Sequence, residues 1–489
     1  MTNKRRILAC ILASLLCMSM AACGDAGEKE TETTAAPVQT ETVVEETIEE
    51  KLRPDLEIRD FDGKTFRILG SAPSGEEDWY IHEMVAEELT GDAMNDAVYN
   101  RNEFLTETFG YEIELVISSD WNPATEIKNL VSSADDTYDT FGVRAVTGSS
   151  LSTGGYYLDL SELPVLSLDE EWWSPSLCSP LTIGGHQYMA TGDISVVPKE
   201  GVRAFYFNKE LLVDHQLESP YELVNDGKWT YEKMFSMMET ATVDLNGDGV
   251  MNGNDQWGMQ AQGVVGMVLY QGSGEALIGK DEADMWVYSA GNENSVNAMM
   301  RISELMEANK NFIYLSEDWT NMLSRFEKGQ GLFYSEVLLH IETMRGFEVD
   351  FGIIPTPKYD EAQEGYAHFL DSHCNIMYSL PVTQAAPEDA AYILETIAYA
   401  SRTTITPAYY DICLKSKYSR DEESAAMLDI IFTSYRLELA DVFAIGDIYS
   451  SVVSGLQKGN ISSMLAGKET SVQTAIETVT EKFTEGNNW

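Results

Sequence analysis

The sequence predicts an α/β protein of two similar lobes, and three observations predict it. Strand-like and helix-like segments alternate from Thr65 to Val146, the same alternation restarts at Val202, and the chain is long enough for two domains of ordinary size. Strands that alternate with helices form a parallel sheet, because parallel neighbours need a long crossover and a helix supplies one.

The elements follow in order. Thr65-Phe66-Arg67-Ile68-Leu69 alternates as a strand and runs into the small-residue loop Gly70-Ser71. A helix should follow, capped by Asp92 or Asn95, with Val98, Leu105 and Phe109 on one side and Gly110 as its stop. A second strand is expected over Tyr111 to Ile117, a helix from about Ala124 to Ser133, and a third strand around Tyr138 to Val146. A stretch rich in Pro and Trp, from Leu163 to Pro180 with Trp172-Trp173, then interrupts the pattern. Gly184 to Ala190 reads as a turn and a strand, followed by Gly192-Asp193-Ile194-Ser195. After Val202 come strand, helix and strand again, a long helix from Val296 to Ala308, a strand at Gly331 to Tyr334 and the loop Ile354-Pro355-Thr356-Pro357-Lys358. Beyond Ala386 the period is mostly helical, and no repeat of fixed length occurs.

The N-terminus reads as an export signal. Lys4, Arg5 and Arg6 precede an apolar run from Ile7 to Met20, too short to span a bilayer comfortably, and Ala21-Ala22 precede Cys23. A cysteine at that place offers a thiol for acylation, so residues 1–22 are expected to leave and Cys23 to carry a lipid. Residues 23–53 contain no aromatic residue and read as an acidic, Thr-rich disordered tether. Removing 22 residues from 489 leaves 467.

Composition excludes one class of partner. Lys and Arg number 32 against 80 Asp and Glu, a net charge of −48, which repels phosphate backbones and anionic lipid, so nucleic acid is not expected and the membrane is met only through the anchor. Cys178, Cys374 and Cys413 remain after cleavage and show no metal spacing. They read as buried small apolar residues, with one disulfide as the alternative.

The sharpest local motif is Asp244-Leu-Asn246-Gly-Asp248-Gly249-Val250-Met-Asn252-Gly-Asn-Asp255. Oxygen side chains stand at positions one, three, five, nine and twelve, Val250 offers its carbonyl at seven, and Gly249 stands at six where the chain must turn. That is the ligand order of a Ca2+ loop, with a shorter Asp in place of the usual bidentate Glu at twelve. A single copy outside the cell reads as a structural clip; the alternative is a metal-free Asn/Asp/Gly turn.

There is no G-x-S-x-G, H-E-x-x-H, P-loop or dinucleotide glycine motif, and the six histidines never pair at helical metal spacing. Among them His368 and His373 flank Asp371. Carboxylates are too many for spacing to select an acid and base pair. Aromatic residues make up 10% of the chain, and Trp79, Tyr80, Trp121, Trp257, Tyr270 and Trp319 fall near expected loops. A sugar ring lays its C–H face on an aromatic plane while its hydroxyls meet carboxylates and amides, so this set points to carbohydrate.

Several segments in shared order carry a resemblance: Cys23, Ala190-Thr191-Gly192-Asp193, Tyr206-Phe207-Asn208-Lys209, the Asp244 loop ending Asp255-Gln256-Trp257-Gly258, Phe326-x-x-Gly329-x-x-x-Phe333, and Ile354-Pro355-x-Pro357-Lys358. Together the chain resembles extracellular solute-binding lipoproteins of ABC importers, in the sugar-binding group of Gram-positive type, over nearly all of its mature length. The resemblance implies a two-lobe periplasmic-binding-protein-like fold with a hinge and an inter-lobe ligand cleft. Lobe 1 would comprise 54–192 with about 367–400, and lobe 2 would comprise 193–366 with about 401–489. It implies a monomer, without catalytic residues, held on the outer face of the cell membrane and serving ABC permease subunits. By the same resemblance Asp193 would lie at the mouth of the cleft, Ser71 and Arg144 on loops of lobe 1, Tyr270, Tyr334 and Glu336 opposite them, and Asp371 at the return crossing. Trp257 joins this set as an aromatic candidate. The acidic, Trp-rich sequence between Gly154 and Pro180 departs from shorter sugar-binding members, so a peptide or another solute stands beside carbohydrate as ligand class. An extracellular glycoside hydrolase would carry the repeated units of a barrel or propeller, which are absent, and a docking module would carry paired calcium loops.

Overall fold

The computed structural model describes residues 52–53, 55–71, 83–410 and 421–484. The signal segment, Cys23 and nearly all of the tether, together with Trp79, Tyr80, His82 and Cys413, lie outside the described residues. No helix among the described residues is long and apolar enough to cross a membrane.

The first sheet is built from β1 (Lys64–Ser71), β2 (Tyr111–Ser118), β3 (Thr140–Arg144) and the late strand β12 (Ile376–Ser379), in the order β12-β3-β1-β2. β1 lies parallel to β2 and β3, with Ser71 opposite Ser118, and β12 closes the edge antiparallel to β3. The helix Ala93–Phe109 joins β1 to β2. Asp92 caps it by accepting from the amides of Met94 and Asn95, Gly110 ends it at φ 67°, and Val98, Leu105 and Phe109 are buried. The left-handed C-cap suits glycine, which lacks the Cβ that such a φ strains.

The second sheet runs β10-β4-β9-β5-β8, from β4 (Arg203–Asn208), β5 (Trp257–Ala261), β8 (Ile313–Leu315), β9 (Gly331–Val337) and β10 (Phe351–Ile354). Every residue of β4, β5, β9 and β10 is buried, as expected of strands covered on both faces. The sheet is mixed: β10, β4 and β9 pair antiparallel, whereas β9, β5 and β8 pair parallel. Strand and helix alternation alone does not reveal this, because the antiparallel members join across long excursions.

Two expectations at element level differ from the structure. The third strand stops at Arg144, and Ala145–Ser152 is a helix whose first amide is held by Asn375 Oδ1 at 3.1 Å, a partner far along the chain. The segment to Ala190 is a turn with single bridges, Ile183 to His186 and Ala190 to Tyr378, in place of a strand.

The chain leaves the first sheet through residues 190–202 and returns through 368–375. These passages are pressed together. Asp371 N–H donates to Gly201 O at 3.0 Å, and a Cβ on Gly201 would stand 2.1 Å from Cys374 O, so only glycine allows the approach. The helix Pro387–Thr403 then packs on Ala93–Phe109, Glu422–Phe432 packs on β10, and the terminal helices Ile448–Lys458 and Ile461–Thr484 lie against each other and against β7 (Trp286–Tyr288). Cys178 and Cys374 are free thiols, and Cys178 Sγ exchanges hydrogen bonds with the backbone of Thr191.

Candidate functional site

Crossover connections place the carboxyl ends of parallel strands together, and there a ligand meets loops instead of core. In the first sheet those ends are Ser71, Ser118 and Arg144. Ser71 is 2% exposed, and its Oγ has no partner among the described residues. Arg144 is buried with its guanidinium 3.6 Å above the ring of Trp121, and its Nη2 donates to Trp121 O at 2.6 Å. Trp121 stays 37% exposed. A cation on an aromatic face fixes that ring's orientation.

In the second sheet the corresponding ends gather around Arg203, the first residue of β4. Its Nη1 donates to Glu336 Oε1 at 3.2 Å, and its Nη2 donates to Asp371 Oδ2 at 3.0 Å and to Gln262 Oε1 at 2.7 Å. Burial disfavours charge on Arg203, but Glu336 and Asp371 outweigh it and hold the guanidinium above its ordinary value. Asp371 shows the complementary effect. Burial would raise its pKa, yet the His373 contact and the Arg203 charge together keep it below the usual carboxylate range. Tyr334 Oη donates to Glu336 Oε2 at 3.1 Å, and the amide of Val337 donates to Glu336 Oε1 at 2.9 Å, so Glu336 is anchored on all sides. Beside this cluster, Trp319 stacks on His340 with centroids 4.6 Å apart and planes 11° apart.

Hinge residues tie the two edges together. Asn375 accepts from the amide next to Arg144 and donates to Asp371 O at 3.4 Å, and Ser149 Oγ donates to Val442 O at 2.6 Å. His373 is raised by its contact with Asp371, and Arg144 is near enough to oppose that rise. His368 is fully buried between the amide of Thr356 and the hydroxyl of Ser434, and burial pulls it down to about 3.

The predicted residues divide accordingly. Ser71 and Arg144 stand at strand ends of the first sheet, and Glu336 and Asp371 meet at Arg203 at the edge of the second. Tyr334 stands beneath them and is fully buried, so it positions Glu336. Asp193 lies on the first crossing with its Oδ1 engaged by Lys199 Nζ at 3.2 Å and Thr406 Oγ1 at 2.8 Å. Trp257 is not brought to the site. Its indole donates to Asn252 O at 2.9 Å at the far end of β5, roughly 16 Å along the strand from Gln262. Tyr270 is also elsewhere, fully buried in the helix Val265–Gly272 with its hydroxyl against Ser295. Arg203, Gln262, His340 and Asn375 were not read from the sequence. The one signal for Arg203 is a charge opening a strand that is otherwise apolar.

The Asp244 loop forms a closed turn on the surface. Asp244 accepts from the amides of Gly247 and Gly249 at 2.7 Å each, Asn246 Oδ1 accepts from Asp248 N, Asp248 from Val250 N, and buried Asp255 from the amides of Leu245 and Asn252. Its carboxylates thus cap the loop's own backbone. Among the described residues no group of three or more His, Cys, Asp or Glu side chains is gathered as metal ligands would be.

No protein-family model matches the sequence, and no curated protein matches it. Solved structures match its fold. An ABC substrate-binding protein of Listeria monocytogenes in complex with cycloalternan is 11% identical, with 85% of this chain and 100% of that chain covered and a TM-score of 0.52. A cyclic alpha-maltosyl-1,6-maltose binding protein of Arthrobacter globiformis is 13% identical, covering 86% and 99% at a TM-score of 0.54. A Mycobacterium tuberculosis protein in complex with glycerophosphocholine is 15% identical, covering 79% and 96% at 0.52. At such identities the likeness establishes the fold alone, which is α/β and periplasmic-binding-protein-like.

Proposed function

We propose that this chain is an extracellular substrate-binding lipoprotein that captures a carbohydrate between its lobes and passes it to the permease of an ABC importer, without chemical turnover. The observation that carries this reading is the pair of partly exposed tryptophans, Trp121 and Trp319, at the carboxyl ends of the two sheets. Each is backed by a cationic or imidazole group, and Glu336 and Arg203 are close to Trp319's partner His340. Flat faces flanked by planar polar groups suit sugar rings. The fold neighbour in complex with cycloalternan and the one named as a cyclic alpha-maltosyl-1,6-maltose binding protein support the same ligand class, and the glycerophosphocholine complex keeps a non-sugar solute as the second reading.

In this reading lobe 1 comprises 54–192 with about 367–400, and lobe 2 comprises 193–366 with about 401–489. Cys23 carries the lipid that holds the monomer on the outer face of the membrane. Ligand bridges the lobes and shifts an open–closed population. Calcium at Asp244, Asn246, Asp248, Val250, Asn252 and Asp255 rests on their order in the sequence alone. A chelator that leaves the melting temperature unchanged removes calcium and leaves a hydrogen-bonded turn.

The deciding experiment is a thermal-shift screen of the chain from Thr47 to Trp489, which is one compact unit, against mono- and oligosaccharides, amino acids and peptides. A ligand at a hundred times its Kd adds about 2.7 kcal/mol to the folded state. A sugar that raises the midpoint and is recovered intact supports the proposal. A sugar recovered cleaved makes the protein an enzyme, and a response to peptides alone overturns the ligand class.

A further inference from the structure

We propose that Gln262 is a ligand-reading residue of the cleft, and that Arg203 is the positioning residue that fixes which way its amide points. The inference rests on the binding reading above and adds to it a named donor group. Gln262 directly follows β5, at the carboxyl end of that strand, and is half-buried. Its Oε1 accepts from Arg203 Nη2 at 2.7 Å. A guanidinium has donors and no acceptor, so a flipped amide would set N–H against N–H. The guanidinium is held in place, because Nη1 donates to Glu336 and the same Nη2 that meets Gln262 also donates to Asp371.

The consequence is directional. With Oε1 fixed inward, the two Nε2 hydrogens of Gln262 have no partner among the described residues. The next residue, Gly263, is held through its amide by Glu317 at 3.0 Å, two positions before Trp319. Gln262 therefore presents an oriented pair of donors from a segment tied to the start of Trp319's helix. Such a pair recognises an acceptor oxygen, here a hydroxyl, ring or glycosidic oxygen of a sugar lying on Trp319. It offers nothing to an ammonium group.

The test uses the full chain with maltotriose, cellotriose, xylotriose and raffinose, amino acids and a tripeptide, read by calorimetry and melting. Gln262→Glu keeps the oxygen that Arg203 holds and removes both donors; Gln262→Met removes donors and acceptor without adding charge. Each should weaken the sugar that binds by about tenfold or more, since an oxygen is left without its donor in a desolvated site, with melting near that of the parent chain. Arg203→Lys should weaken binding when Gln262 is present and add nothing in the Gln262→Glu background. Additive losses overturn the positioning role.

If a sugar binds and both Gln262 variants bind it as the parent does, the inference falls and the carbohydrate reading stands. If both variants melt far below the parent, Gln262 is structural and the inference falls. If only an amino acid or the tripeptide binds, and the variants weaken it, Gln262 stands and the carbohydrate reading falls. If nothing in the panel binds, both fall.

Discussion

Two buried carboxylate clusters in this molecule look alike in composition and differ in what they leave over. Around Glu395, one oxygen accepts from Arg53 Nη1 at 2.7 Å and Trp172 Nε1 at 2.9 Å, and the other accepts from Trp173 Nε1 at 2.7 Å and Ser167 N at 3.2 Å. Its side chain is wholly buried, and burial raises its pKa despite those donors. Around Arg203, Glu336 and Asp371 are engaged just as fully, but the network continues to the half-buried Gln262 and stops there. The first cluster is closed and the second is open.

The difference separates a structural device from a binding one. A satisfied buried network fixes its segments in one place, and Glu395 fixes the Trp-rich insertion and the start of the described chain against the helix Pro387–Thr403. Trp172 is further held between Arg53 and Arg402, with each guanidinium within 6 Å of its ring. Nothing in that arrangement is available to a solute. A network that ends at a half-buried amide has the opposite property, because its donors remain within reach of an arriving solute.

The largest expected effect tests the closed cluster. Glu395→Ala strands two indole N–H groups and the Ser167 amide in the interior, while Arg53 keeps its pair with Asp55. The replacement should cost about 2–4 kcal/mol of folding stability in urea titration. Ligand affinity of the folded fraction should stay within about twofold, since the insertion docks away from the strand ends. A loss below about 1 kcal/mol would mean that water or a neighbouring group takes over the donors, and the contrast between the clusters would collapse.

How far this contrast was legible in the sequence follows from distance along the chain. The helix Ala93–Phe109 was readable with its Asp92 cap and Gly110 stop because every signal lies within a turn or two of it. The pairing of β12 with β3 was not readable, since register between remote strands leaves no local trace. The tryptophans show the same limit. Trp121, Trp257 and Trp319 read alike as aromatic residues near loops, yet Trp257 is drawn under the Asp244 loop by Asn252, and Trp173, in the Pro- and Trp-rich stretch, becomes core through a carboxylate 222 positions away. Arg203 and Gln262, 59 positions apart, are ordinary polar residues until the sheet brings them together. Resemblance pointed to the strand ends, and for Asp193 the nearest partner, Lys199, lies only six positions on, within the crossing itself.

The smaller prediction tests the open cluster. Trp121 and Trp319 are incompletely packed, so replacing either with Ala removes little core and should shift the melting temperature only slightly. Each replacement deletes the plate on which a sugar face would lie, and should lower affinity by about 1–2 kcal/mol, roughly five- to thirtyfold. Trp173→Phe is the control, because it keeps a ring in the core but leaves Glu395 without one donor, so it should lower stability and spare binding. Calorimetry on the three variants with one saturating sugar separates the possibilities. If Trp121→Ala and Trp319→Ala both bind as the parent does while Trp173→Phe does not, the insertion is the recognition surface, and the roles assigned to the two clusters are reversed.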